Sequence, residues 1–275
     1  RRCRTAWPRP SRPLQWPTAS VAHDLHLLRG LTQIEMAPLR AVTFDLWNTL
    51  LTSAPGGLEI RRQYWQEVID RRNLDVPPDL LGGVLSILPD RFETEWRAGR
   101  HYGPERALEE SFTAFGDRVN AEDRQALIEA FDLASYHLQV MPVSDAADVL
   151  SAVADTGITI GIVSDTNLAV GRHLRTYLDH HGILEHVSFA AFSDEVGVYK
   201  PDPAIFAAAM SGLGVTDPFT VAHVGDLKRT DVAGARAVGM ATVRFRGVVD
   251  DPDGGDEADH VIDRLVDLPA VLGLG

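Results

Sequence analysis

The chain has 275 residues, with 26 Lys and Arg against 39 Asp and Glu, giving a formal charge of −13; 45% of the residues are apolar and one is cysteine. A chain this acidic lacks the basic footprint of a nucleic-acid binder. A lone cysteine cannot close an internal disulfide, which excludes a stapled secreted fold and favours a reducing, cytoplasmic setting, and no run approaches the roughly 18 apolar residues that span a bilayer.

The charge is unevenly spread. Residues 1–35 hold six Arg against Asp24 and Glu35, together with Cys3 and four prolines, while the remaining 240 residues hold 20 basic and 37 acidic residues. The first stretch has no sustained hydrophobic period and reads as a disordered or spurious extension, with the folded protein starting near Met36. Residues 39–44 form a short β-branched and apolar run that ends at Asp45 and reads as a buried strand. From 54 to 138 the pattern is helical: Ile60, Tyr64 and Val68, then Leu81, Val84 and Leu88, then Leu108, Phe112 and Phe115, then Leu127, Phe131, Ala134 and Leu138 fall at helical spacing. Pro89 is expected to break the second of these runs, so four or five helices form an all-helical insert. From Pro142 onward, helices over 143–155, 168–179, 203–213 and 231–238 alternate with strands over 158–163, 187–192, 220–224 and 241–245, and a last helix is expected over 262–272. Such alternation implies βαβ units and a parallel sheet. The fold class is therefore α/β, with a Rossmann-like parallel core (36–53 and 139–275) carrying helices on both faces and a helical cap domain over 54–138. The acidic stretch 250–259 reads as a solvated loop.

In a parallel α/β sheet, ligands gather at the carboxyl ends of the strands. Those ends here carry Asp45, Ser164 with Asp165, Lys200 after a short loop, and Gly225-Asp226 with Asp231 five residues on. Any one of these residues could be a helix cap or turn former. Jointly they bring a carboxylate, a hydroxyl, an ammonium and a carboxylate pair to one edge. Lys200 stands out because Lys200 and Lys228 are the only lysines of the chain; a compact point charge on a flexible stem has been placed there in a protein that otherwise uses Arg. Lys228 reads as a solvated loop residue.

Four segments carry a resemblance. Phe-Asp45-Leu-Trp47-Asn-Thr49-Leu, Ile-Val-Ser164-Asp165-Thr, Val-Tyr-Lys200-Pro-Asp-Pro-Ala-Ile-Phe and His-Val-Gly-Asp226-Leu-Lys-Arg-Thr-Asp231-Val-Ala-Gly-Ala-Arg-Ala-Val-Gly-Met stand in this order. They resemble the four motifs of the haloacid dehalogenase superfamily, hydrolases with an aspartate nucleophile, and the resemblance covers about residues 39–275. It implies Asp45 as nucleophile, Ser164 and Lys200 as catalytic groups, and Thr49, Ser164, Asp165 and Lys200 at the substrate. It also implies Mg²⁺ as cofactor, held by Asp45, the Trp47 carbonyl, Asp226 and Asp231. In this family a helical cap commonly follows the first motif, where the insert lies. A carboxylate attacking phosphorus needs its charge and that of the phosphoryl oxygens neutralised, which a hard divalent cation does.

One position departs. Phosphatases of the family usually carry a second Asp two residues after the nucleophile, as general acid and base; here it is Trp47. That help is typically worth about 10²–10⁴-fold. The expected function is a Mg²⁺-dependent hydrolase of a small phosphorylated metabolite. The alternatives are a 2-haloacid dehalogenase, since dehalogenases have an aromatic residue there and halide needs no proton, or a non-catalytic binding module. The Gly-Asp226 and Asp231 spacing resembles the metal-binding, phosphatase-like form of the fourth motif. The expected partner is a small anionic substrate, with no nucleic acid or membrane, and the expected assembly is a monomer or homodimer. Arg61, Arg62, Arg97 and Arg100 of the insert either reach that substrate or are solvated helix-face charges.

Overall fold

The computed structural model describes residues 38–274; the expectations for residues 1–35, Cys3 among them, lie outside the described residues. Strand β1 (Ala41–Phe44) is wholly buried, as a strand covered on both faces must be. It pairs in parallel with β4 (Thr159–Ser164) on one side and β6 (Val221–Gly225) on the other. With β5 (Phe189–Phe192), β7 (Ala241–Phe245) and β8 (His260–Ile262) the sheet is all parallel, in the order β5-β4-β1-β6-β7-β8. The strand order reverses at β1, so its carboxyl end opens onto the crevice where such sheets bind ligands.

Side-chain alternation splits the sheet between two cores. Val42, Phe44, Ile160 and Ile162 pack with Val149, Leu150, Val153, Leu174 and Leu178 of α6 (Ala146–Asp155) and α7 (Gly171–His180). Ala41, Val163 and Val221 pack with Ile205, Phe206 and Ala235 of α9 (Pro203–Gly212) and α10 (Ala233–Val238) on the other face. A short helix, α8 (Ser193–Val196), joins β5 to this side.

Between β1 and α6 the chain leaves through β2 (Leu51–Ser53) and returns through β3 (Val140–Pro142), which pair antiparallel. The helices α1 (Gly57–Arg72), α2 (Pro78–Ser86), α3 (Leu88–Arg97), α4 (Pro104–Phe115) and α5 (Ala121–Ala134) lie between them. Pro89 sits in the first turn of α3, where its missing N–H costs nothing. Asn120 caps α5 by accepting from the N–H groups of Glu122 and Asp123. These helices close around a third core centred on Trp65, which is fully buried, donates its indole N–H to the Leu127 carbonyl (2.8 Å), and lies against Phe112, Phe115 and Phe131. The buried face of α1 is Arg61, Trp65, Val68 and Ile69, rotated by one residue from the expected Ile60–Tyr64–Val68 stripe. The bulk of Trp65 fixes the inward direction.

The expected helix over 262–272 is corrected. Residues His260–Ile262 extend as β8 beside β7, Leu265–Asp267 make a single 3₁₀ turn, and only Leu268–Val271 is α-helical (α11), started by Pro269. The apolar period there mimics a helix because Ile262, Leu265 and Leu268 all reach the same core. The expected helix start at 231 is replaced by a π turn over Lys228–Val232 that leads into α10. The acidic loop 250–259 is not free in solvent either. The buried Arg244 holds Asp250 and Glu257, Asp251 accepts the Lys228 N–H at 2.7 Å, and Asp259 accepts from the N–H and hydroxyl of Thr242. No helix among the described residues is long and apolar enough to cross a membrane.

Trp65→Ala removes the largest side chain of the insert core and its indole bond. The expected loss is about 3–5 kcal/mol, read as a lower urea midpoint in equilibrium unfolding followed by circular dichroism.

Candidate active site

The site grows from the ends of the three central strands. Asp45 follows β1 and extends its ladder, its N–H donating to the Val224 carbonyl at 2.8 Å. The chain then turns tightly, with the N–H groups of Leu50 and Leu51 converging on the Leu46 carbonyl. Asn48 takes the left-handed conformation this turn requires (φ 59°), which Asn tolerates better than most residues. It points Nδ2 toward Asp226 Oδ2 (3.4 Å). Asp226 follows β6, and the π turn brings Asp231 back beneath Gly225. A Cβ on Gly225 would stand 2.4 Å from the Asp231 Cγ, so only glycine admits this approach.

Lys200, 3% exposed, donates its ammonium to Asp45 Oδ1 and to Asp231 Oδ1, the latter at 2.6 Å. Asp231 is further held by His223 Nε2 (3.2 Å) and by the Leu227 N–H (3.0 Å). The other His223 nitrogen, Nδ1, is 2.9 Å from the Thr43 hydroxyl. Asp45, Asp226 and Asp231 offer carboxylate oxygens that all lie within 4.8 Å of one another, and all three residues are buried. Ser164 closes β4, with its hydroxyl donating to the Asp165 carbonyl at 3.2 Å.

The electrostatics follow from burial. Desolvation, reinforced by repulsion from Asp231 and only partly offset by Lys200, pushes the Asp45 carboxyl up to about 7. Desolvation and repulsion from Asp45 and Asp231 push Asp226 up to about 8. Burial acts in the same direction on Asp231, but Lys200 and His223 outweigh it and hold that carboxyl well below the usual range. Burial likewise opposes the Lys200 ammonium, and Asp231, Asp45 and Asp165 overcome it. Burial lowers the His223 pKa, with Asp231 opposing it. Three carboxylates thus face one ammonium. Hard oxygen donors grouped this closely fit a divalent cation such as Mg²⁺, which would supply the charge the cluster lacks.

Asp45, Lys200, Asp226 and Asp231 therefore come together, with Ser164 at the neighbouring strand end. Thr49 is fully buried, and among the described residues neither its hydroxyl nor the buried Trp47 indole N–H has a hydrogen-bond partner. The side chain of Asp165, expected at the substrate, is bonded within the protein. Its Oδ1 accepts the Lys200 N–H (2.8 Å) and its Oδ2 accepts the Trp96 indole N–H from α3 (2.7 Å). Two donors satisfy its charge, and it ties the insert to the sheet. The four arginines of the insert are also occupied: Arg61 by Gly57 and Ser135, Arg62 by Glu59, Arg97 by Glu93 and Asp253, and Arg100 by Glu95. Lys228, expected in solvent, bonds the Asp253 carbonyl at 3.4 Å.

Sequence reasoning passed over His223 and Asn48 and read Trp96 as a core residue rather than part of the pocket. His223 carried a signal, a polar residue at an inward position of a buried strand, where a partner is required. The partner of Trp96 lies 69 residues away, and no local pattern reports it.

The family model described as haloacid dehalogenase-like hydrolase matches residues 39–239. The chain is similar to a glyceraldehyde 3-phosphate phosphatase of Methanopyrus kandleri, with 29% identity over 241 residues that cover 85% of this chain and 95% of the relative. It is also similar to (S)-2-haloacid dehalogenase 1 of a Pseudomonas species, with 26% identity over 239 residues covering 86% and 98%. Among solved structures, the HAD phosphatase from Thermococcus onnurineus is similar at TM-score 0.58 and 25% identity, covering 86% of this chain and 98% of that one. The aspartate at the end of the central strand, the lysine that bridges it to the fourth motif, and this match over most of the chain place the protein in the haloacid dehalogenase-like hydrolase family.

Proposed function

We propose that the chain is a Mg²⁺-dependent phosphatase of small phosphorylated metabolites, working through an aspartyl-phosphate at Asp45. The observation that carries this reading is the buried cluster of Asp45, Asp226 and Asp231 with one ammonium between them. A reaction that needs no metal gives no reason to bury three carboxylates together, each desolvated at a cost. Asp45 and Asp226, with the Trp47 carbonyl, would hold the cation, and Asp231 is near enough to join them. When bound, the metal supplies the positive charge that lets an anionic nucleophile approach an anionic phosphoryl group.

The chain's own residues do the rest. The Asp45 carboxylate forms a bond to phosphorus as the ester P–O bond breaks and the alcohol oxygen leaves with the electron pair. Water then attacks the aspartyl-phosphate, releasing inorganic phosphate and restoring Asp45. Lys200 fixes the Asp45 carboxylate and offsets charge on the transferred group. His223 and the Leu227 N–H keep Asp231 in place to hold Lys200. The helical insert is a cap over the strand ends that excludes water. Trp47 offers no carboxyl to protonate the leaving oxygen, so alkyl esters are turned over more slowly than esters with good leaving groups.

A second reading, haloacid hydrolysis, is favoured by Trp47 and by the likeness to the Pseudomonas dehalogenase. There Asp45 would displace halide from carbon, and halide needs no proton.

Released phosphate and chloride separate the two. With p-nitrophenyl phosphate, turnover is expected with Mg²⁺ and none with EDTA, and Asp45→Asn should lose at least about a thousandfold. Chloride release from 2-chloropropionate in EDTA would instead establish the second reading. Trp47→Asp, checked for a cooperative melt, should raise turnover of an alkyl phosphate by about 10²-fold or more, and an unchanged rate would show that the missing acid is not what limits the site. The raised Asp226 pKa also sets a pH dependence. From the ordinary 3.8 to about 8 the fold prefers the protonated form. Its stabilising contribution is therefore whole below about pH 4 and is lost as pH rises through about 8. In EDTA, Asp226→Asn should melt above the parent at about pH 8.5, with the advantage vanishing near pH 4. Added Mg²⁺ should raise the melting temperature of the parent and not of the variant.

A further inference from the structure

A cavity of about 480 Å³ lies where α3 meets the Lys200 loop and the π turn, with Trp96, His101, Tyr199, Lys200 and Arg229 in its lining. A second cavity, whose charged lining is Arg97, Lys228, Arg229, Arg236, Asp253 and Asp256, adjoins it at Arg97 and Arg229. Four of the five lysines and arginines around this seam are held, Lys200 by Asp45 and Asp231. Arg97 pairs with Glu93 and Asp253, Lys228 bonds the Asp253 carbonyl, and Arg236 pairs with Asp259. Arg229 differs. Among the described residues its guanidinium makes no ion pair or hydrogen bond, and its Nη2 is buried without a partner. Its only contact of that kind is with the Trp96 ring, over which it stacks at 4.2 Å from the centroid.

The stack does not leave Arg229 adrift. Trp96 is fixed by its indole bond to Asp165, and Asp165 in turn receives the N–H of Lys200. The free cation is thus held in a fixed relation to the lysine that touches Asp45. A guanidinium that is partly desolvated and lacks a counter-charge is costly. Its planar fork matches a carboxylate or phosphate, and stacking on an aromatic face leaves the fork edge available.

We propose that Arg229, seated on Trp96, binds a second anionic group of the substrate, so that the protein prefers phosphate monoesters whose tail carries a carboxylate or another phosphate. This rests on the phosphatase reading and adds a substrate class to it. The scissile phosphate lies at Asp45, and the distal anion lies in the seam cavity.

Three esters of one chain length test it: propyl phosphate, 2-carboxyethyl phosphate and 1,3-propanediol bisphosphate, with p-nitrophenyl phosphate as reference. The parent is expected to favour one or both anionic tails over propyl phosphate by about tenfold or more in kcat/KM. Arg229→Gln should lower kcat/KM for the anionic tails by about 10–100-fold, mostly through KM, and change propyl phosphate less than about twofold. Arg229→Lys should recover part of the loss, since it restores charge without the fork. The tail that loses more identifies the anion. An equal loss on all three esters, no loss on any, or a parent without preference overturns the inference and leaves the phosphatase reading standing. A parent that releases phosphate from none of the four overturns both.

Discussion

The Lys200 ammonium lies buried between Asp45 and Asp231, and the rest of the site depends on that contact. Without it, three desolvated carboxylates would repel one another in a region of low polarisability, where the cost of an unpaired charge runs to several kcal/mol. The fold supplies Lys200 from a loop after β5, Asp45 from the central strand and Asp231 from a π turn after β6. Such turns are rare in helices and occur often at functional sites. Here the turn lets the Asp231 carboxylate fold back against Gly225, where any side chain would collide. Two successive supports, His223 and Thr43, extend the network into the sheet itself. The geometry of the strand ends and the electrostatics of the cluster are therefore one structure.

That cluster remains short of positive charge, and the deficit is informative. Burial raises Asp45 and Asp226, while Asp231 is kept ionised by its two partners. A protein gains nothing in stability from such an arrangement. It gains a cluster of hard oxygen donors of the kind that suits a divalent cation. The acidity of the chain has a second component with a structural role. Six acids crowd residues 250–259, and four of them are spent on Arg244, Thr242 and the Lys228 N–H. They brace the π turn and the edge of β7.

The helical insert has its own core around Trp65, which Leu168 joins from the sheet domain, and its polar contacts with that domain include Trp96 to Asp165, Arg97 to Asp253, Tyr102 to Tyr199, Asp132 to Arg172 and His173, and Ser135 to Tyr177. Asp165 joins the insert to the buried cluster, because the same carboxylate receives the Trp96 indole and the backbone of Lys200.

Much of this was legible in the sequence. Alternating strands and helices after Pro142 specified a parallel sheet, because buried strands need near-continuous apolar runs and their connections need amphipathic helices. The strand-end residues Asp45, Ser164, Lys200 and Asp226 followed from that sheet. The β2–β3 ribbon, the strand β8 and the π turn were not legible. Three-residue strands carry too little period to be told from a helix end, and a π turn depends on what its residues meet in space. The same limit applies to charges. Sequence spacing named Arg61, Arg62, Arg97 and Arg100 as cations that could reach a substrate, and each proved to be paired or hydrogen-bonded. It passed over Arg229, whose guanidinium stands unpaired on Trp96. The sequence by itself determined which strand ends would bring the carboxylates and the lysine together, since chain order and burial fix that. Only the tertiary structure decided which charges are already satisfied, because a partner 35 or 155 residues away is set by packing and leaves no local trace.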